Sequence, residues 1–186
     1  MLVASQSPPL SRLYSADELL LLPDNARFEL LEGKLYAMAP ASDLHGEDTI
    51  LLSSRITVFV DDNDLGSCRA AETGFLLARD PDVVLAPDFA FIRKERLTYP
   101  RGRGFVPIAP DLVIETRSPS DRAPDVAAKV ARWLFYGVTV VIDADPEKRI
   151  LTVHRAETAP QILGVDDTLT LPDLLPGFSL PLARVF

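Results

Sequence analysis

The segment Pro110-Asp111-Leu112-Val113-Ile114-Glu115-Thr116-Arg117-Ser118-Pro119-Ser120 constrains this chain most. Leu112, Val113 and Ile114 read as a strand buried on both faces, which runs straight into a Ser/Pro turn. Glu115 sits in that run, and an ionised glutamate is almost never buried without a partner because desolvating its charge is costly. A cation, an arginine or a metal must therefore answer it. A second Pro-Asp pair, Pro87-Asp88, opens another apolar run, Phe89-Ala90-Phe91-Ile92. Carboxylates on two neighbouring strands are what a divalent metal needs.

The surrounding pattern alternates helix and strand signals. Residues 1–14 read as a loose lead-in. Ser15-Ala16-Asp17-Glu18 is a capping box that starts a short helix through Leu22, and Pro23-Asp24-Asn25 ends it. Phe28–Leu31 and Leu35–Met38 flank Glu32-Gly33-Lys34 as a tight hairpin. Pro40 to Gly46 reads as a loop, and Asp48 to about Val60 as a long helix whose Ile/Thr/Val content weakens its C-terminal half. Strands follow around Ala70–Ala78, Phe89–Ile92 and Leu112–Glu115. Pro124 and Asp125 suit the first turn of a helix with the apolar stripe Val126, Val130, Trp133 and Leu134, and Gly137 stops it. Val138–Ile142 and Ile150–His154 form a further hairpin. The expectation is a mixed α/β domain spanning 1–186, its core at about 25–160, with the apolar tail 165–186 packed on it.

Bulk composition narrows the class. The 186 residues suffice for one domain with a full core, and 47% hydrophobic with 25% charged residues is ordinary for a globular protein. A net charge of −8 argues against a non-specific DNA-coating protein, although a basic groove on an acidic body stays open. Cys68 has no second cysteine to pair with, so a reducing cytoplasm is the expected location. No apolar stretch reaches the roughly 20 residues of a spanning helix, and no export signal is visible at the N-terminus.

Asp88 and Glu115 are far enough apart in sequence for a return loop between paired strands. Hard oxygen ligands from one or two carboxylates, with waters and a substrate phosphate, suit Mg²⁺, and such a metal activates water and stabilises charge on a phosphodiester. A cation is also needed for the transition state. Arg117 shares a strand face with Glu115 and could clamp a phosphate. Lys129 borders the helix stripe and can lean inward toward a site between helix and sheet.

These residues, taken in order, resemble a known family. Phe28-Glu29-Leu30-Leu31-Glu32-Gly33, then His45, Pro87-Asp88, and Leu112 through Ser120 look like the bacterial putative restriction endonuclease family, a branch of the PD-(D/E)XK nuclease superfamily. Lys129, Tyr136-Gly137-Val138 and Leu175-Pro176-Gly177-Phe178 fit it too, over about residues 15–186. The resemblance implies a restriction endonuclease-like mixed sheet flanked by helices, with an N-terminal helix and hairpin additions. It also implies a Mg²⁺ site, which Mn²⁺ can fill, at Asp88 and Glu115. The motif lysine would fall at position 117, where this chain has Arg117, and its counterpart on the following helix would be Lys129. Glu29 and His45 match the family's hairpin glutamate and its histidine after the proline loop, adding both to the catalytic candidates. The implied activity is DNA cleavage, commonly by a homodimer or larger homo-oligomer.

Plainer readings stand beside these. Glu115 could serve a structural salt bridge with Arg117, Asp88 a turn after proline, and Lys129 a solvated helix edge. Asp111 reads as a strand-entry turn residue, His45 as a surface loop residue, Glu29 as an outward hairpin residue and Trp133 as core. Arg93-Lys94-Glu95-Arg96 and Arg101/Arg103 are either surface charge or a phosphate-tracking loop. Cys68 lacks the surroundings of a nucleophile. Two other functions remain open: a nuclease-fold module that has lost catalysis and acts in protein interaction, and a small-molecule metallohydrolase using the same carboxylates.

Overall fold

The computed structural model describes residues 12–22 and 27–186. Its elements in chain order are α1 (Ala16–Leu20), β1 (Phe28–Leu31), β2 (Lys34–Ala37), α2 (Asp43–Asp62), β3 (Gly66–Ala70), β4 (Phe75–Ala78), β5 (Val83–Leu85), β6 (Phe89–Arg93), β7 (Leu112–Thr116), α3 (Ala123–Phe135), β8 (Val140–Asp145), β9 (Ile150–His154), β10 (Gln161–Leu163), β11 (Thr168–Leu171) and β12 (Leu175–Pro181). The chain gathers into two compact units. One comprises the described residues up to Pro40 with Thr73–Ala86 and Pro100–Ala109; the other comprises Ala41–Glu72, Pro87–Tyr99 and Pro110–Phe186. The expected stop at Pro23-Asp24-Asn25 and most of the lead-in fall outside the described residues.

The first unit holds a four-stranded sheet in the order β2-β1-β5-β4. The capping box at its helix is complete: Glu18 N–H donates to Ser15 Oγ, and Ser15 N–H donates to Glu18 Oε2 at 2.9 Å. Glu32 and Gly33 both take positive φ, which gives the β1–β2 hairpin the left-handed turn its twist requires. Tyr14, expected in the loose lead-in, is buried instead with Ala16, Leu19, Leu30, Leu35 and Val84.

The second unit is built on a mixed six-stranded sheet in the order β10-β9-β8-β7-β6-β3. Only β7 and β8 run parallel; the other neighbours are antiparallel. Alternation assigns the faces of β7. Leu112 and Ile114 join a core with Leu52, Ile56 and Val60 of α2. Glu115 turns the other way and meets Lys129 and Trp133 of α3. The C-terminal tail is itself ordered as the β11–β12 hairpin, and Leu169, Leu171, Phe178 and Leu180 complete the α2-side core. Among the described residues no helix is long and apolar enough to cross a membrane.

Three local expectations are corrected. The long helix begins at Asp43, five residues earlier than Asp48, so the expected Pro40–Gly46 loop is shorter and His45 lies in the helix's first turn. Ser42 caps that end and Asp43 complements the helix dipole, which together outweigh the helix cost of Gly46. The C-terminal half holds despite its β-branched residues because Ile56 and Val60 are buried. The single strand expected over Ala70–Ala78 is two strands, β3 and β4, in different sheets. A turn with Glu72 at positive φ separates them, and a Cβ on Gly74 would come within 2.4 Å of the Phe105 ring.

Truncation should separate core from edge. Ile142 on β8 is fully buried, whereas Ile162 on the edge strand β10 is 66% exposed. Ile142→Ala should cost about 3–4 kcal/mol in chemical denaturation, and Ile162→Ala under about 0.5 kcal/mol. Equal costs would contradict the placement of the core.

Candidate active site

The second unit brings four of the five expected catalytic residues together where β6 begins and β7 ends. Extending the β6–β7 register one step past Phe89↔Ile114 sets Asp88 opposite Glu115. Opposed residues in an antiparallel pair share a face, with Cβ atoms about 5 Å apart. Asp88 is held there by more than its turn: its Oδ2 accepts the backbone N–H of Thr116 at 2.7 Å. Thr116 is tied to α2 in turn, through a 2.7 Å hydroxyl bond from Thr49.

The first turn of α2 delivers His45, whose Nε2 lies 3.1 Å from Asp88 Oδ1. The hydrogen bond with Asp88 raises the imidazole above its ordinary pKa against partial burial, and the charges of Glu115 and Asp121 add to the effect. From α3 comes Lys129, whose Nζ donates to Glu115 Oε2 at 2.8 Å. Trp133, one turn further on, donates its indole N–H to Glu115 Oε1 at 2.7 Å. The sequence placed Trp133 in the core, and it is fully buried, but its polar contact was missed. The i, i+4 spacing of Lys129 and Trp133 is the signal that could have linked them.

Two other expected residues have partners of their own. Glu29 belongs to the first unit, where its Oε1 accepts the backbone N–H of Ala86 at 3.0 Å. Arg117, the expected phosphate clamp, is engaged by carboxylates of β8. Its Nε and Nη2 grip Asp143 at 2.7 and 2.5 Å, and its Nη1 reaches Asp145 at 3.1 Å. Burial pushes the Asp143 carboxyl up, but the Arg117 guanidinium, with help from His154, brings it below its ordinary value.

The first basic cluster is also paired internally. Asp111, expected as a simple turn residue, is buried; it accepts Arg93 N–H at 2.9 Å and pairs with Arg96 Nη1 at 2.9 Å. Lys94 pairs with Asp64. Arg101 and Arg103 are exposed in the first unit. Burial pushes the Cys68 thiol up to about 11, which leaves it protonated and poorly nucleophilic.

A Mg²⁺ ion suits this donor set. Asp88 and Glu115 supply hard carboxylate oxygens, and a carboxylate has about four lone-pair sites to divide between hydrogen-bond donors and a cation. Among the described residues no three His, Cys, Asp or Glu side chains gather into a metal cage. Mg²⁺ needs none, since it takes one or two carboxylates and completes its shell with water and substrate phosphate.

A mixed sheet with helices on both faces and two carboxylates at adjoining strand ends defines a restriction endonuclease-like α/β protein. The fold is that of a putative nuclease belonging to DUF820 from Anabaena variabilis ATCC 29413. The crystal structure of that protein matches with a TM-score of 0.78 at 21% identity, over 92% of this chain and 97% of that one. The Uma2 family, described as putative restriction endonuclease, matches residues 16–183. The chain belongs to this family. None of the curated proteins matches it.

The Arg117 network has a pH signature. Because Asp143 is held below its ordinary value, its contribution to stability is present above that ordinary value and is lost as pH falls through the lowered folded one. In Arg117→Met the buried carboxyl loses its main partner, and stability at pH 7 should fall by about 3 kcal/mol. The gap between variant and wild type should narrow as pH drops toward 3 in urea denaturation series. A gap that does not change with pH would contradict this assignment.

Proposed function

We propose that this protein is a metal-dependent endonuclease that hydrolyses DNA phosphodiester bonds. The observation that supports the reading best is the meeting of Asp88, Glu115 and Lys129 at one sheet end, in a chain of a family described as putative restriction endonuclease. Asp88 and Glu115 would hold Mg²⁺, or Mn²⁺ in its place. When bound, the ion supplies Lewis-acid activation of water and neutralises charge on the scissile phosphate.

The side chains supply the rest. Lys129 is held beside Glu115, where its ammonium would stabilise developing negative charge and orient the attacking water. His45 holds Asp88 Oδ1, and that hydrogen bond raises its pKa and so favours its protonated form. Arg117 takes no direct part; its guanidinium keeps the β7–β8 strand ends together.

A second reading, a nuclease fold that has lost catalysis and acts in protein interaction, is favoured by one observation. The position of the motif lysine holds Arg117, which is committed to Asp143 and Asp145. Nicking of supercoiled plasmid separates the two. The wild type should nick DNA with Mg²⁺ or Mn²⁺ and not with EDTA. Asp88→Asn, Glu115→Gln and Lys129→Met should each lower the rate at least about 100-fold while circular dichroism stays native. Unchanged nicking in Asp88→Asn or Glu115→Gln, or nicking in EDTA, would sink the nuclease site as assigned. No nicking by the wild type with either ion would favour the silent module.

A further inference from the structure

Each of the two carboxylates divides its oxygens between two kinds of partner. Asp88 Oδ2 is tied to a neutral, rigid donor, the Thr116 backbone N–H, and Oδ1 lies beside His45. Glu115 repeats the arrangement with two side-chain donors. Its Oε1 accepts the Trp133 indole N–H, and its Oε2 lies beside Lys129. A glutamate has one more rotatable bond than an aspartate, so Glu115 needs a fixed anchor more than Asp88 does.

Trp133 fits that task physically. It is fully buried on α3, and a buried indole N–H seeks an acceptor. Its partner is a carboxylate, which makes the bond charge-assisted and stronger than a neutral one. The ring is locked by packing, so the donor cannot follow Glu115 if the carboxylate swings. Lys129 sits four residues earlier on the same helix, so one rigid element presents both the anchor and the ammonium. Phenylalanine would fill much of the same volume and leave Glu115 Oε1 buried without that donor.

We propose that Trp133 is a positioning residue: its indole N–H pins Glu115 Oε1 so that Oε2 is the oxygen presented to the metal and to Lys129. This rests on the nuclease reading above and deepens it. Outer partners of metal ligands typically account for about 10- to 100-fold in metal affinity. A purely structural tryptophan would affect stability and leave that affinity alone.

Trp133 is the chain's single tryptophan, so the full-length ¹⁵N-labelled protein gives one indole N–H resonance that needs no assignment. Calorimetry with Mg²⁺ alone is run first on the wild type. We expect saturable binding, and an indole resonance that shifts with the same midpoint. In Trp133→Phe the Mg²⁺ affinity should fall about 10- to 100-fold. Two results would overturn the inference while leaving the nuclease reading intact: wild-type binding with an indole resonance that does not move, or a folded Trp133→Phe with wild-type affinity. Where Trp133→Phe does not fold, the wild-type resonance decides alone. Absence of Mg²⁺ binding by the wild type would overturn the metal-site reading and this inference together.

Discussion

The hydrogen-bonded pairing of Glu115 with α3 is the constraint on which the second unit depends. A carboxylate in a buried strand costs several kcal/mol unless it is both neutralised and hydrogen-bonded. Lys129 does the first and Trp133 the second. These two contacts fix the rotation of α3 about its own axis, because only one face of the helix carries both residues. The β6–β7 register then sets Asp88 opposite the same carboxylate, and the Thr116 N–H holds it there. The arrangement that keeps a buried charge tolerable therefore also assembles the site.

The same logic recurs nearby and explains the departure at position 117. Glu115 pairs in register with Asp143 across the parallel β7–β8 ladder. Without a cation between them, Asp143 and Asp145 would be buried like charges on the face that already carries Glu115. Arg117 supplies that cation in bidentate form, which a lysine cannot match. With position 117 given to this structural pairing, the ammonium beside Glu115 comes from the helix. Asp111, gripped by Arg93 and Arg96 at the other end of β7, is a fourth buried carboxylate, with its own cations. Glu115, Asp143, Asp145 and Asp111, buried along β7 and β8, thus each have a cation beside them.

Much of this was legible in the sequence because it rests on short-range pattern. The hairpin around Glu32-Gly33, the capping box at Ser15, the β7 strand and the amphipathic α3 all carry local signals, and their elements stand where expected. The pairing of Asp88 with Glu115 followed from two Pro-Asp-led apolar runs. What sequence could not reveal depends on long-range partners. Trp133 looks like any core aromatic until its acceptor is known, and Arg117 looks free until Asp143 arrives from 26 residues away. The β3–β4 division was hidden because the chain leaves one sheet for another at a turn whose need for Gly74 arises from Phe105. The tail strands look in sequence like packed apolar chain, since prolines mask their alternation.

The central claim is that Asp88 and Glu115 together form a metal site. Anomalous diffraction from crystals soaked in Mn²⁺ tests it most directly. The predicted result is a peak at the Asp88 and Glu115 carboxylates, with the Trp133 bond to Glu115 Oε1 retained. An empty site at saturating Mn²⁺, with Glu115 still closed against Lys129, would contradict it.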